Sequence, residues 1–421
     1  MKYEYLFDYP NKLQILFDKL DKNGIKAIIV GGYIRDKFLN LDSKDIDIEL
    51  FGINSFEELE KILQEFGNVN SVGKSFGVCK LSLDDLDLDF TLPRSDNKIK
   101  PGHTGFEIKI DKNLDFKTAS SRRDFTINAI GFSTQEQKIL DPFYGQEDIK
   151  NKILRAVDIN KFAEDPLRVL RLVGFASRFS FTIENNLFNL CKQMCDENIL
   201  NELPQERIYT ELKKILLKSS KPSHGFLLLK ELNALQYFKP LDTLNENDFN
   251  DIINALDAFV LYKVNDNKTN ISLMLSILCY KFTITQTSDF IKNLTNDKSL
   301  LDKVLSILEN DFQTKYTDSD LYRLATKVNL EHFFIFSKAM NRDIDTSIFE
   351  NINSRANNLG ILNKKAEAYL KGKDILELGL SPSQEFSKIL TIAYEKQMNL
   401  EINSRNEALE WLKDYLKSEK A

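Results

Sequence analysis

The sequence predicts an α+β head followed by an all-helical remainder. Three observations carry this. Up to about residue 145, strand-like apolar runs alternate with helical patterns. A punctuating stretch, Asp141-Pro142-Phe143-Tyr144-Gly145, closes that region. From Gln146 onward almost every segment has helical spacing, as in Leu167-Leu170-Arg171-Phe175 and Leu212-Ile215-Leu216. A mixed sheet carrying helices, then helices alone, is the architecture this order implies.

In the head, Asn11 to Lys22 places Leu13, Ile15, Leu16, Phe17 and Leu20 at helical spacing and stops near Asn23-Gly24. Strands are expected at Lys26–Val30, Asp45–Leu50, Val78–Leu83 and Leu86–Leu92, with a helix at Phe56–Phe66. Further strands are expected at Phe106–Ile110, Ile127–Phe132 and Lys138–Asp141. In the remainder, breaks fall at Ser219-Ser220-Lys221-Pro222, at Asn245–Asn250, and at Gly360 or Gly372. The expected domains are a head over 1–145, then helical segments over 146–221, 222–330 and 331–421.

Composition narrows the class. The 421 residues are 42% hydrophobic and 29% charged, enough for several cores. A net charge of −6 excludes a generally basic nucleic-acid coat but leaves room for a local basic groove. Residues 150–222 are such a region, with thirteen Lys/Arg against nine Asp/Glu; a solvated helix surface explains them nearly as well. Cys79, Cys191, Cys195 and Cys279 are too few and scattered for a disulfide framework, and Cys191/Cys195 lack the second pair a zinc site needs. The first eight residues hold acids and no long apolar core, so no signal peptide is expected there. No run reaches about 18 apolar residues, so no membrane span is expected, and a cytoplasmic location is.

Three clusters carry chemistry. The first is Val30-Gly31-Gly32-Tyr33-Ile34-Arg35-Asp36 followed by Asp45-Ile46-Asp47. Glycines at a strand-to-helix turn let backbone N–H groups approach phosphate oxygens, and the helix N-terminus favours negative charge. Asp45 and Asp47, two apart on a strand, point to the same side. Alone, the pair could be a polar strand edge. With Asp89 on the alternating run Asp87-Leu88-Asp89-Phe90-Thr91, three carboxylates on adjacent strands can hold two Mg²⁺ ions about 3.5–4 Å apart.

The second cluster is Arg122-Arg123-Asp124-Phe125-Thr126-Ile127-Asn128-Ala129. It is either a helix start with solvated charges or a phosphate contact at Arg123 with sugar or positioning roles at Asp124 and Asn128. The third is Glu164-Asp165-Pro166-Leu167-Arg168-Val169-Leu170-Arg171. Asp165 and Arg168 stand three apart: either an ordinary intrahelical ion pair, or an acceptor and a donor that read a base edge. The run His332-Phe333-Phe334-Ile335-Phe336 is read as core in preference to a stacking platform.

In this order the motifs resemble the class II CCA-adding tRNA nucleotidyltransferase and bacterial poly(A) polymerase family. The resemblance rests on Gly31-Gly32-x-x-Arg35-Asp36, Asp45-x-Asp47, Asp89-Phe90-Thr91-Leu92-Pro93-Arg94, the Arg122–Ala129 run, Asp141-Pro142-x-x-Gly145 and Glu164-Asp165-x-x-Arg168. More weakly, it includes Gly372 to Pro382. It implies a polymerase-β-like head with neck, body and tail. Asp45 and Asp47 would hold Mg²⁺, with Asp89 the third catalytic carboxylate. Gly31, Gly32, Arg35 and Arg123 would bind the triphosphate, with Asp124 near the ribose and Asn128 among the nucleotide-binding residues. Asp165 and Arg168 would select CTP and then ATP, with Arg171 adding to the pocket.

The implied reaction is template-independent addition of CMP and AMP to a tRNA 3′ end, with no DNA or template strand. A poly(A) polymerase, or an enzyme adding only CC or only A, shares these motifs. An RNA-binding protein with an inactive head is the reading from a different class. Three departures stand out. Gly174 occupies a position where many relatives have another arginine, and Ser95–Ser121 differs from the commonest pattern. None of His103, His224 and His332 is followed by Asp, so a second, phosphohydrolase activity is not expected.

Overall fold

The computed structural model describes residues 9–53, 55–70, 78–84, 86–98, 106–378 and 383–418. The first eight residues, part of the Ser95–Ser121 segment and the end of the Gly372–Pro382 run lie outside them. The chain forms two compact units, 1–242 and 243–421.

In the first unit, strands β1 (Lys26–Val30), β2 (Asp45–Phe51), β3 (Val69–Asn70), β4 (Val78–Leu83) and β5 (Leu86–Thr91) join β8 (Gly131–Ser133) and β9 (Lys138–Leu140). They form a seven-stranded sheet in the order β3-β4-β5-β2-β1-β8-β9. A separate hairpin, β6 (Arg94–Lys98) and β7 (Phe106–Ile110), extends from it. The β2–β5 pairing is parallel and every other pairing in the large sheet is antiparallel, so the sheet is mixed as expected. Apolar side chains alternate along β2 and β5: Ile46, Ile48, Leu88 and Phe90 are fully buried, which sends the intervening acids to the opposite face.

Helices α1 (Lys12–Lys22), α2 (Gly32–Phe38), α3 (Phe56–Leu63) and α4 (Phe116–Ser120) belong to the sheet region. They are followed by α5 (Gly145–Asn151), α6 (Ile159–Phe162), α7 (Leu167–Phe179), α8 (Asn185–Asp196), α9 (Gln205–Lys218) and α10 (Pro222–Glu231). Ser55 and Asp115 cap α3 and α4 through their side-chain oxygens.

One expectation is corrected. The apolar run from Ile127 does not begin a strand: Thr126–Asn128 is a 3₁₀ turn, and β8 starts only at Gly131. Ile127, Ala129 and Ile130 are fully buried, which makes a packed turn look like a buried strand in sequence. The turn is held by polar bonds instead: Thr126 N–H donates to the Arg155 carbonyl (3.0 Å), and its hydroxyl donates to Asp148 (2.7 Å). Asp141 accepts from the backbone N–H groups of Gly145 and Gln146 (2.7 and 2.9 Å), which starts α5 beneath that turn. A Cβ at Gly145 would collide with the Thr126 carbonyl oxygen, so the motif glycine is a packing requirement.

The second unit is helical: α11 (Glu246–Phe259), α12 (Asn267–Leu278), α13 (Ile284–Leu294), α14 (Lys298–Leu308), α15 (Asp318–Ala325), α16 (Leu330–Met340) and α17 (Thr346–Asn358). It ends with α18 (Gly372–Glu377), α19 (Gln384–Met398) and α20 (Arg405–Ser418). Every residue of α12 from Thr269 to Leu278 is buried, making it the central helix. Phe333, Phe334 and Phe336 are core residues, as read. All four cysteines are free and buried. Among the described residues no helix is long and apolar enough to cross a membrane.

Candidate active site

At the end of β1 the chain turns through Gly31, whose φ of +70° strains any residue with a side chain. A Cβ there would lie 2.9 Å from Arg123 Nη1 and 3.3 Å from Asp47 Oδ2. The glycine thus admits a guanidinium and a carboxylate against the backbone just where α2 begins.

The β2–β5 register sets Asp47 beside Asp89 and Asp45 beside Asp87. Asp45, Asp47 and Glu49 share one face of β2 and form a ladder of acids. Partial desolvation raises the Asp47 carboxyl above its ordinary value; Arg123 opposes this and Asp89 and Asp45 add to it. Lys80, opposite Asp89 on β4, holds that carboxylate at 2.7 and 2.9 Å. Glu49 is completely buried. Its Oε1 accepts from Arg122 (3.0 Å), while Oε2 lies 3.9 Å from Arg123 with no hydrogen bond.

These groups open on a cleft of about 450 Å³ inside the first unit. It is lined by Gly31, Gly32, Arg35, Asp47, Arg123, Asp124, Asn128, Asp165, Arg168 and Arg171. The structure thus brings together ten residues singled out from three separate stretches of sequence. Asp45 and Asp89 stand on the neighbouring strand positions and not in the lining.

The arginines differ in how far they are engaged. Arg35 is buried, donates to Asp36 (2.8 and 2.6 Å) and Asn128 (2.6 Å), and packs against the mutually stacked rings of Phe175 and Phe179, 5.1 and 5.0 Å from their centroids. Asp36 also accepts from Arg178 (3.2 Å). Arg35 therefore joins α2, the 3₁₀ turn and α7. Arg171 donates to Asp124 (2.7 Å). Asp124 further accepts from Asn128 (2.9 Å) and from the Phe125 N–H (2.9 Å). Burial alone would push the Asp124 carboxyl up, but Arg171 and these hydrogen bonds override it and hold it below the ordinary value. Arg168 donates to the carbonyls of Lys161 (2.6 Å) and Arg122 (2.7 Å). The Arg123 guanidinium makes no hydrogen bond among the described residues, and its Nε is buried and unpartnered.

Asp165 and Arg168 do not pair with each other, so the intrahelical ion pair is not what they form. Asp165 caps the Leu167 N–H (3.1 Å) and accepts from Arg207 (3.1 Å), a residue on α9 that also lines the cleft. Sequence reasoning missed Arg207. No local motif marks it, because its partner lies 42 residues away. Phe175, read only as part of a helical pattern, is a cleft wall as well as a partner of Arg35.

Residues 27–155 match the family described as "Poly A polymerase head domain", and 180–242 match "Probable RNA and SrmB- binding site of polymerase A". These two stretches, within the first 242 residues, thus resemble the head and RNA-binding parts of poly(A) polymerases. The chain is 37% identical over 216 residues to the Multifunctional CCA protein of Chromobacterium violaceum, covering 51% of this chain and 50% of that one. It is 35% identical over 219 residues to the CCA-adding enzyme of Francisella tularensis, covering 51% and 57%. The matched region thus spans about half the length of these curated relatives.

Fold likeness extends further. The Bacillus stearothermophilus CCA-adding enzyme, solved with CTP, superposes with a TM-score of 0.76 at 20% identity, covering 98% of this chain and 99% of that one. A tRNA nucleotidyltransferase solved with a primer tRNA and an incoming ATP analogue gives 0.65 at 21% identity, covering 82% and 98%. The whole chain therefore has the fold of these enzymes, with a polymerase-β-like head.

Proposed function

We propose that this protein adds CMP and AMP from CTP and ATP to the 3′ end of tRNA, releasing pyrophosphate. The observation that carries the reading is Arg123. It is a guanidinium with unused donors, held against a glycine turn and beside a carboxylate pair, in a cleft whose other arginines are engaged. The relatives of the first half are named for CCA addition, and solved enzymes of this fold carry CTP, an ATP analogue and primer tRNA.

Magnesium fits the donor set. Among the described residues no three His, Cys, Asp or Glu side chains could by themselves hold a metal ion. Mg²⁺ characteristically keeps waters and takes substrate phosphate oxygens beside one or two carboxylates. The residues to hold it are Asp45 and Asp47, with Asp89 the third carboxylate beside them; like charges that raise the Asp47 carboxyl are relieved by a cation. When bound there, the metal supplies charge neutralisation for the triphosphate and activation of the attacking hydroxyl.

The chain's own groups do the rest. The Gly31 N–H already donates to the Ile130 carbonyl (3.4 Å), so at this turn the Gly32 N–H, at the start of α2, is the donor for phosphate oxygens. Arg123 donates to the same oxygens from the other side. Arg35, packed against two stacked phenylalanines, keeps α2 and α7 in register about the triphosphate. Asp124, itself held by Asn128, holds Arg171, and the two form the sugar side of the cleft. Asp165, Arg168 and Arg207 form the wall against which the base is read, by donor and acceptor positions on its pairing edge. The same reading divides the helical remainder into a neck (146–221), a body (222–330) and a tail (331–421) that meets the tRNA, and places the chain in the cytoplasm.

The test offers the purified protein a tRNA lacking CCA, a tRNA ending in CC, and a generic RNA 3′ end, each with one labelled nucleotide. Growth of the first by CC and then A is the expected product. Long adenylate tails on the generic RNA would instead make it a poly(A) polymerase, and single-step products a partial enzyme. No incorporation on any of them with Mg²⁺ present would leave the inactive-head reading.

A further inference from the structure

The second unit has a cavity of its own, of about 360 Å³, between α12, α14, the α15–α16 connection and the chain around Asn363. Four lysines line it, Lys303, Lys327, Lys364 and Lys365, together with His332. No Asp or Glu does. None of the four lysines forms an ion pair among the described residues, although the chain as a whole is acidic at −6. Two acids act on this group from outside the lining: Asp266, whose oxygens accept from the Lys268 and Thr269 N–H groups and the Thr269 hydroxyl, and Glu331, next to His332 in sequence. Asn329 also lines the cavity, and its side chain caps the His332 N–H (3.0 Å) at the first turn of α16, an eleven-residue helix.

Four ammonium groups round one cavity outnumber the two acids that act on it, Asp266 and Glu331, so they repel each other, and a bound anion relieves that repulsion. The hydroxyls of Ser272, Ser306 and Thr326 add polar lining, while Ile307, Ala325 and Val328 supply an apolar floor. A flat solvated surface would need neither the concavity nor the one-signed lining. We propose that this cavity is a phosphate-binding site, built entirely from residues of the second unit and distinct from the nucleotide cleft. Its ligand is a phosphate group, supplied either by an RNA backbone or by a free phosphate compound. The proposal does not rest on the transferase reading, because binding is measured without turnover.

The experiment compares the full chain with the triple variant Lys303→Gln, Lys364→Gln, Lys365→Gln, using labelled tRNA and labelled inorganic phosphate as probes. If RNA supplies the phosphate, tRNA affinity falls about tenfold, and the slope of log affinity against log salt flattens by roughly one to three. If a free compound supplies it, one phosphate-binding site per chain is lost while tRNA affinity holds. Either result supports the site. Equal binding of both probes by the two proteins overturns it. Lys→Arg at the same three positions should restore binding, and Lys327→Gln, on another wall, should reproduce part of the loss. The substituted lysines are solvent-exposed, and an unchanged melting curve confirms that the fold is intact.

Discussion

Arginine chemistry in the cleft turns on which guanidinium is already engaged. Arg35, Arg168 and Arg171 are fixed by carboxylates, carbonyls and rings, whereas Arg123 keeps its donors. Arg123→Ala should therefore lower turnover about a hundredfold or more, the usual cost of removing one preorganised donor to developing charge. Steady-state kinetics on a tRNA lacking CCA reads this; a change confined to KM would place its role in ground-state binding. Asp124 gives a pH prediction. Its carboxyl is held below the ordinary 3.8, so the stability it contributes is present above that value and disappears as pH falls through its lower folded value. Removing its largest stabilising partner with Arg171→Met lets burial dominate and raises the carboxyl. Acid unfolding should then begin at higher pH than in the parent protein, as followed by circular dichroism. An unchanged acid midpoint would show that Arg171 does not set that carboxyl.

At the scale of elements, α7 does two tasks with opposite ends. The approach to it and its first turn present Asp165 and Arg168 to the base wall, and its later turns pack Phe175 and Phe179 against Arg35. Arg168→Ala should relax CTP over UTP discrimination by about 1–3 kcal/mol, the worth of one good base-edge pair. Labelled CMP and UMP incorporation in competition measures it. Unchanged discrimination would move base reading to Asp165 and Arg207. The sequence made much of this legible: the strands β1, β2, β4 and β5, the same-side placement of the two acids, and the helix with Asp165 at its start all followed from alternation and capping. The 3₁₀ turn at Thr126 did not, because full burial hides periodicity. Arg207 did not, because a contact between two helices leaves no mark in either one. The engagement of Arg35 was also hidden, since only packing tells a phosphate ligand from a buried strut.

At the scale of the molecule, all the nucleotide-cleft residues lie in the unit 1–242, and the lysine-lined cavity lies wholly in 243–421. Saturating CTP should slow hydrogen exchange in the first unit, most of all in α2, the 3₁₀ turn and α7. A ligand at a hundred times its Kd stabilises the state that binds it by about 2.7 kcal/mol. Peptide-resolved exchange measures this, and protection confined to 243–421 would place the nucleotide elsewhere.

The four buried cysteines have a practical consequence. Burial raises all the thiols for which a shift is resolved, Cys195 to about 12, with Cys191 and Cys279 also raised. At Cys191, Cys195 and Cys279 a thiol-modifying reagent will therefore meet almost no thiolate while the chain stays closed, and Cys79 is shielded by burial. Labelling then becomes a clock of opening. Cys79, Cys191 and Cys195 time excursions of the sheet-bearing half, and Cys279 times those of the other half. The molecule thus carries its own isotope-free reporters of breathing, with no engineered probe required.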